Sequence, residues 1–212
     1  MFRAQRGLCA FEDCRPLSRF PIIVSELCLL LLMSAPKIAV AGTSTVNEVK
    51  IGALAHDVAT SSQREHGVDI NGEVLFQPLA MLDPNDDRRW LVRLLSPRPV
   101  VGVSVNNAGY TDQLYFGVDW HVDLWKPHTG SSDTPYIEFT AGGAAHDGRL
   151  DDTDRHYSAL GSRILFHLSM EAGVDFADHY SLGLYFEHDS NGGLDKFNRS
   201  LNNAGLRLGY RL

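Results

Sequence analysis

The most reactive grouping in the chain is His188-Asp189-Ser190-Asn191-Gly192-Gly193, a histidine and a serine two residues apart running into a glycine turn. Residues i and i+2 of a β-strand share one face at about 6.6 to 7 Å backbone separation. An imidazole leaning along such a strand therefore reaches a serine hydroxyl and can take its proton. A glycine turn directly after the serine can aim backbone N–H groups at an oxyanion developing beside the nucleophile, so the expected chemistry is acyl transfer. As a bare spacing His-x-Ser is common, and an ordinary polar strand end is its more frequent meaning.

The elements that position this pair follow from the alternation around it. His188 and Ser190 continue the parity of Tyr180, Leu182, Leu184 and Phe186, against Ser181, Gly183, Tyr185 and Glu187. The same period of two is clearest from Gln113 to Leu124, where Leu114, Phe116, Val118, Trp120, Val122 and Leu124 share one face. It recurs around Val49–Ala53, Ile70–Phe76, Val101–Val105, Ile137–Ala141, Ile164–Met170 and Ala204–Leu212. Eight strands with little helical periodicity define an all-β chain. The stretch Arg88–Leu95 reads as a strand or as a short amphipathic helix.

Two architectures accommodate eight such strands: a soluble sandwich or barrel with its apolar face inside, and a membrane barrel with that face turned to lipid. The other face separates them, because it carries Gly, Ser, Asn and Tyr together with charges of both signs. Small residues suit a crowded interior, and Asp119, Asp123, Glu171, Arg207 and Arg211 can pair there. The expectation is an eight-stranded antiparallel outer-membrane β-barrel, with a soluble periplasmic barrel as its rival.

Composition agrees with export to that location. The chain has 212 residues, 44% hydrophobic, with a formal net charge of -7. Those values exclude an intrinsically disordered chain and disfavour general nucleic-acid binding. Arg3, Arg6, Arg15 and Arg19 precede an apolar stretch from Phe20 to Met33 and a small-residue site at Ala39-Val40-Ala41. Residues 1–41 are thus expected to be a removed signal peptide, leaving a single domain over 42–212. All three cysteines, Cys9, Cys14 and Cys28, leave with the signal, so a closed hydrogen-bonded sheet or a large core has to replace disulfide staples.

The segment His188-Asp189-Ser190-Asn191-Gly192-Gly193, with Asn198 and the closing Leu206-Arg207-Leu208-Gly209-Tyr210-Arg211 strand, resembles the PagL-type lipid A 3-O-deacylases of the outer membrane. The motif-bearing similarity covers about the last quarter of the chain. The resemblance implies a general base at His188, a nucleophile at Ser190, and an oxyanion site formed by the amides and side chain near Asn191 and Gly192. It also implies hydrolysis of an ester-linked 3-hydroxyacyl chain of lipid A, with no metal and no cofactor. Where the family places an orienting carboxylate fourteen residues after the histidine, this chain has Asn202. In the serine-protease template the change of the orienting Asp to Asn costs about 10⁴ in turnover, although a Cys-His-Asn version works elsewhere. Asp189 is expected inward by parity and Asp195 in a loop, so Asn202 is the expected orienter.

The remaining polar residues invite plainer readings. Nine histidines are scattered without a zinc-binding spacing, and Asp147, Asp151, Asp152 and Asp154 lack the glycine and closing glutamate of a calcium loop. Trp90, Trp120 and Trp125 fit interface anchors or packing residues. The expected partners are lipid A or lipopolysaccharide and outer-membrane lipid, with no nucleic acid and with a homodimer left open. The rival function is a non-catalytic outer-membrane barrel with a structural or surface-interaction role.

Overall fold

The computed structural model describes residues 45–58, 63–79, 92, 94–125 and 133–212. The expected signal peptide and Trp90 lie outside the described residues, as does most of Arg88–Leu95.

All eight expected strands are present: β1 Val46–Ala55, β2 Val68–Phe76, β3 Arg98–Asn106, β4 Gln113–Asp123, β5 Thr134–His146, β6 Ile164–Phe176, β7 Tyr180–Ser190 and β8 Leu201–Arg211. They form a closed barrel in sequence order, each strand antiparallel to its neighbours, and β8 returns to β1 through pairs such as Ile51 with Leu208. Closure leaves no sheet edge, so the backbone N–H and C=O groups of the wall bond to one another. That condition lets a β-structure sit in hydrocarbon.

The alternation resolves as membrane logic demands. Ile51, Ile70, Phe116, Phe166, Leu168, Leu182, Leu184 and Leu206 point outward and are exposed. Glu48, Lys50, Glu73, Arg98, Asp119, Glu138, Glu171 and Arg207 point inward and are buried. A soluble barrel would reverse the two sets, because exposed apolar area on this scale is not tolerated in water. The chain is an outer-membrane β-barrel, with lipid as the solvent of its outer wall.

The lumen is held by charge rather than by oil. Arg98 donates to Asp119, to Glu48 at 2.9 Å and to Glu138 at 2.6 Å, and Arg207 donates to Glu171 at 2.5 Å and Glu73 at 2.9 Å. Lys50 donates to Glu171 at 2.9 Å and to Glu138. Buried charges are tolerable only when paired in this way. Of the expected interior residues, Asp119, Glu171 and Arg207 join this network. Arg211 instead donates to Asp175 at 2.9 Å, and Asp123 meets His121 at 3.1 Å. Gly102 supplies the space for Tyr115, because a Cβ there would overlap the Tyr115 ring.

The segments after β1, β3, β5 and β7 share one end of the barrel, which we call the upper rim; β1 starts and β8 finishes at the other end. β7 delivers His188-Asp189-Ser190 to the upper rim, and β8 starts there.

Candidate functional site

On β7 the exposed face continues from Leu182, Leu184 and Phe186 to His188 and Ser190, both half-buried. His188 lies directly opposite Asn202 of β8 in the antiparallel register. Directly paired residues bring their Cβ atoms to about 4.5 to 5.5 Å, close enough for a side-chain hydrogen bond. His188 Nδ1 is 2.7 Å from Asn202 Oδ1, and His188 Nε2 is 3.1 Å from Ser190 Oγ. An amide oxygen only accepts, so this arrangement puts the imidazole proton on Nδ1 and the lone pair of Nε2 toward the serine. The imidazole is then a base for the hydroxyl it touches.

Neither nearby aspartate reaches this imidazole. Asp189 is buried on the lumen face and binds His167 Nδ1 at 2.8 Å, as its parity requires. Asp195 is exposed in the segment after β7, where its carboxylate accepts from the Lys196 amide at 2.7 Å.

Asn202 is tethered in turn. Its Nδ2 donates to Ser200 Oγ at 3.3 Å, and its backbone carbonyl accepts from the Val58 amide at 2.6 Å. Next to it, Asn203 Oδ1 accepts from the Asp57 amide at 2.9 Å. Segment 56–58 is held by buried His56, which bonds Asp69 at 2.8 Å through Nδ1 and Glu65 at 3.0 Å through Nε2. Glu65 also accepts the amides of Thr111 at 3.0 Å and Ser158 at 2.7 Å, so one carboxylate joins three rim segments. Burial opposes the charge on His56, but its hydrogen bonds to Asp69 and Glu65 prevail and lift its pKa to about 9. Sequence reasoning missed Ser200 and Val58. Ser200 carried a readable signal, since it stands two residues from Asn202 on the same parity; the Val58 contact is non-local and carried none.

The glycine turn is built from Asn191 outward. Asn191 is buried, its Nδ2 donates to the carbonyls of Leu160 at 2.9 Å and Phe197 at 2.6 Å, and its N–H donates to Asn198 Oδ1 at 3.0 Å. Its Oδ1 accepts from the Gly193 amide at 2.9 Å. Asn191 therefore spends both amides on the loop rather than offering them to a ligand, a departure from the expectation that its side chain faces an oxyanion. The left-handed φ of 65° at Gly192 turns the chain away, and among the described residues no protein acceptor meets its N–H. Gly161 closes the turn from the other side: with φ at 79°, an added Cβ would overlap the Phe197 carbonyl oxygen and stand 2.5 Å from Asn191 Nδ2.

Below His188 the outer wall carries an apolar groove of about 340 Å³, lined by Trp120, Phe139, Leu168, Met170, Phe186 and the imidazole itself. Among the described residues, two other groups hold metal-ligating side chains, His121 with Asp123 and Asp175, and His167 with Glu187 and Asp189. His167, Glu187 and Asp189 are buried on the lumen face, so this second group is not part of the outward constellation. The outward constellation itself offers an imidazole, hydroxyls and an amide.

Fold and constellation together define a class: a membrane β-barrel bearing an imidazole–hydroxyl pair on its lipid-facing wall, at the mouth of an apolar groove. The sequence comparison is narrower, for residues 114–211 match the model of the family described as PagL, lipid A 3-O-deacylase. Among solved structures, the outer membrane enzyme PagL is similar with a TM-score of 0.55 at 20% identity, over 76% of this chain and 97% of that one. That likeness is one of fold. Neisserial surface protein A matches at a TM-score of 0.48 and 15% identity, over 81% of this chain and 99% of its own. The N-terminal β-barrel domain of Pseudomonas aeruginosa OprF matches at 0.43 and 12%, over 78% and 98%. No curated protein sequence matches the chain.

Proposed function

We propose that this chain is an outer-membrane esterase that removes a 3-O-linked hydroxyacyl chain from lipid A, with Ser190 as nucleophile, His188 as base and Asn202 as orienter. The observation that carries the reading is the 3.1 Å contact between His188 Nε2 and Ser190 Oγ on the lipid-facing wall, directly above an apolar groove. The family whose model residues 114–211 match is described by the same activity.

In the first half-reaction Ser190 Oγ gives its proton to His188 Nε2 and bonds to the ester carbonyl carbon. Negative charge collects on the carbonyl oxygen, where the Gly192 N–H is the free donor of the adjoining turn. Collapse of the tetrahedral species breaks the bond to the sugar oxygen, which takes the proton from His188 and leaves as an alcohol. Water then attacks the acyl-serine with His188 again as base, releasing a hydroxy fatty acid and restoring Ser190. Throughout, the Nδ1–H to Asn202 bond fixes the ring and its tautomer. The fatty chain lies in the groove beside Phe139, Leu168 and Met170, a placement that apolar burial favours over water and that a lipid-facing wall makes reachable from the membrane.

The test is mass spectrometry of lipid A from cells producing the protein or its Ser190→Ala variant. The parent should lose the mass of one 3-hydroxyacyl chain and the variant should not. Loss that persists in the variant removes Ser190 from the role of nucleophile. No loss with either, while both migrate as folded barrels in unheated gels, leaves the non-catalytic barrel, a reading that the neutral Asn202 favours.

A further inference from the structure

Closure of the barrel gathers, at the end opposite Ser190, a set of donors that the linear chain keeps apart. His121 and Asp123 continue the inward parity of Asp119 at the end of β4, and Asp175 continues that of Glu171 at the end of β6. β5 lies between these strands and pairs with both, Tyr136 with Asp123 and Thr134 with Asp175. A ligand atom from each of His121, Asp123 and Asp175 lies within 4.8 Å of the other two.

The imidazole is set for coordination. Its Nδ1 is 2.9 Å from Glu138 Oε1, an oxygen that also accepts from Arg98, so Nδ1 carries a proton and donates it there. Tyr136 stacks on the ring with centroids 4.8 Å apart and holds its plane. Nε2 then faces Asp123 Oδ1 at 3.1 Å and Asp175 Oδ2 at 3.6 Å. An imidazolium has one Nε2–H for these two carboxylates, and only the Asp123 contact is within hydrogen-bond reach. It also leaves the other oxygen of Asp175 unsatisfied. That residue is 9% exposed, and its Oδ1 is shut off from solvent with no hydrogen-bond partner among the described residues.

A divalent cation meets all of these demands together. Nitrogen and oxygen ligands at 2.0 to 2.2 Å from a tetrahedral zinc ion stand roughly 3.3 to 3.6 Å from one another, close to the two separations from Nε2. Asp175 Oδ1 brings the donor count to four, and two carboxylates with one neutral imidazole match a doubly charged ion of borderline softness. The outer contacts that such sites require are also present. Glu138 orients His121, and Arg211 Nη2 donates to Asp175 Oδ2 at 2.9 Å.

We propose that His121, Asp123 and Asp175 form a zinc-type divalent metal site that clips the end of β4 to the end of β6 at the lower mouth of the barrel. The ion is a structural clip in a barrel wall without cysteine, remote from Ser190, and the proposal stands or falls independently of the esterase reading.

The experiment uses the whole barrel in detergent, washed with a chelator that is then dialysed away. Zinc chloride is titrated calorimetrically, and cobalt chloride is added as a spectroscopic probe. The parent should bind one zinc ion with micromolar or tighter affinity and give the intense visible absorption of tetrahedral cobalt, which zinc should abolish. His121→Gln and Asp123→Asn should each weaken zinc binding by at least about 10- to 100-fold and lose the cobalt band. Asp123 is half-buried at the mouth, so its variant keeps the test open if His121→Gln fails to fold. Asp151→Asn, which removes an exposed acid at the upper rim, should bind as the parent does. Equal zinc binding by the folded site variants and the parent would mark an adventitious surface ion and overturn the proposal. Absence of binding by the folded parent would overturn it too, leaving His121 as an imidazolium among carboxylates.

Discussion

Replacing Asn202 by Asp alters one atom type and one charge while keeping the side chain's shape. In the parent, Asn202 Oδ1 accepts from His188 at 2.7 Å, and the residue is 6% exposed. As Ser190 attacks, His188 becomes an imidazolium, and a carboxylate at the same position would stabilise it where the amide offers only a dipole. Two unit charges 4 Å apart interact by about 4 kcal/mol at an effective dielectric of 20, whereas hydrogen bonds to charged partners contribute about 1.5 to 3 kcal/mol in measured cases. The lower range applies to a pair at the rim of the barrel. At about 1.4 kcal/mol per decade, Asn202→Asp should raise kcat roughly 10- to 100-fold. It should fall short of the 10⁴ of the serine-protease template, because part of that figure comes from a wrong tautomer and here the amide already faces the correct way. KM should stay within about twofold, since Asn202 touches the imidazole and not the acyl groove. The assay is the initial rate of hydroxy fatty acid release from purified lipid A, with both proteins checked for folded-barrel migration. A folded Asn202→Asp variant no faster than the parent would refute the reasoning that the absent charge limits turnover.

Two other perturbations probe the scaffold of the site. Gly161→Ala places a Cβ against the Phe197 carbonyl at a left-handed φ, so it should cost about 1 to 3 kcal/mol in urea unfolding and slow turnover by displacing the Asn191–Gly193 turn; unchanged values of both would show that this close approach does not hold the turn. His56 is lifted to about 9 from 6.5, so its contribution to stability, up to about 3 kcal/mol, is complete below pH 6.5 and fades as pH rises through 9. Unfolding midpoints measured from about pH 6 to 10 should therefore decline across that window in the parent and less in His56→Gln. Parallel curves for the two proteins would remove His56 as the cause.

The fold was legible because each strand obeys one rule with few exceptions. Leu182, Leu184 and Phe186 against Ser181, Gly183 and Glu187 state both the strand and its two environments, and the Gly, Ser and paired charges of the second face marked it as an interior. What stayed illegible depends on closure. Lys50 meets Glu138 and Glu171 across the lumen, and Arg98 meets Glu48, contacts between strands that parity places on the inner face without saying which are neighbours. At the site, the pairing of His188 with Asn202 could be inferred from parity and a single hairpin. The destination of the Asn191 side chain could not, because its partners include the carbonyl of Leu160, on the segment between β5 and β6.

The site is visible for a physical reason as much as for a motif. On a wall facing hydrocarbon, each polar group without a partner costs several kcal/mol, so a polar residue at an outward position has to be paired or to serve a purpose that offsets the cost. His188, Ser190 and Asn202 are polar interruptions of the outward parity that β7 and β8 otherwise give to Leu182, Leu184, Phe186, Leu206 and Leu208. Their solution is internal: Ser190 donates to His188, His188 to Asn202 and Asn202 to Ser200, all in one direction along the chain of bonds. Removing any one link leaves its neighbour in the chain short of a hydrogen-bond partner. For this reason the hydrogen bonds that make the constellation tolerable in a membrane are the same ones that would make it a base and a nucleophile.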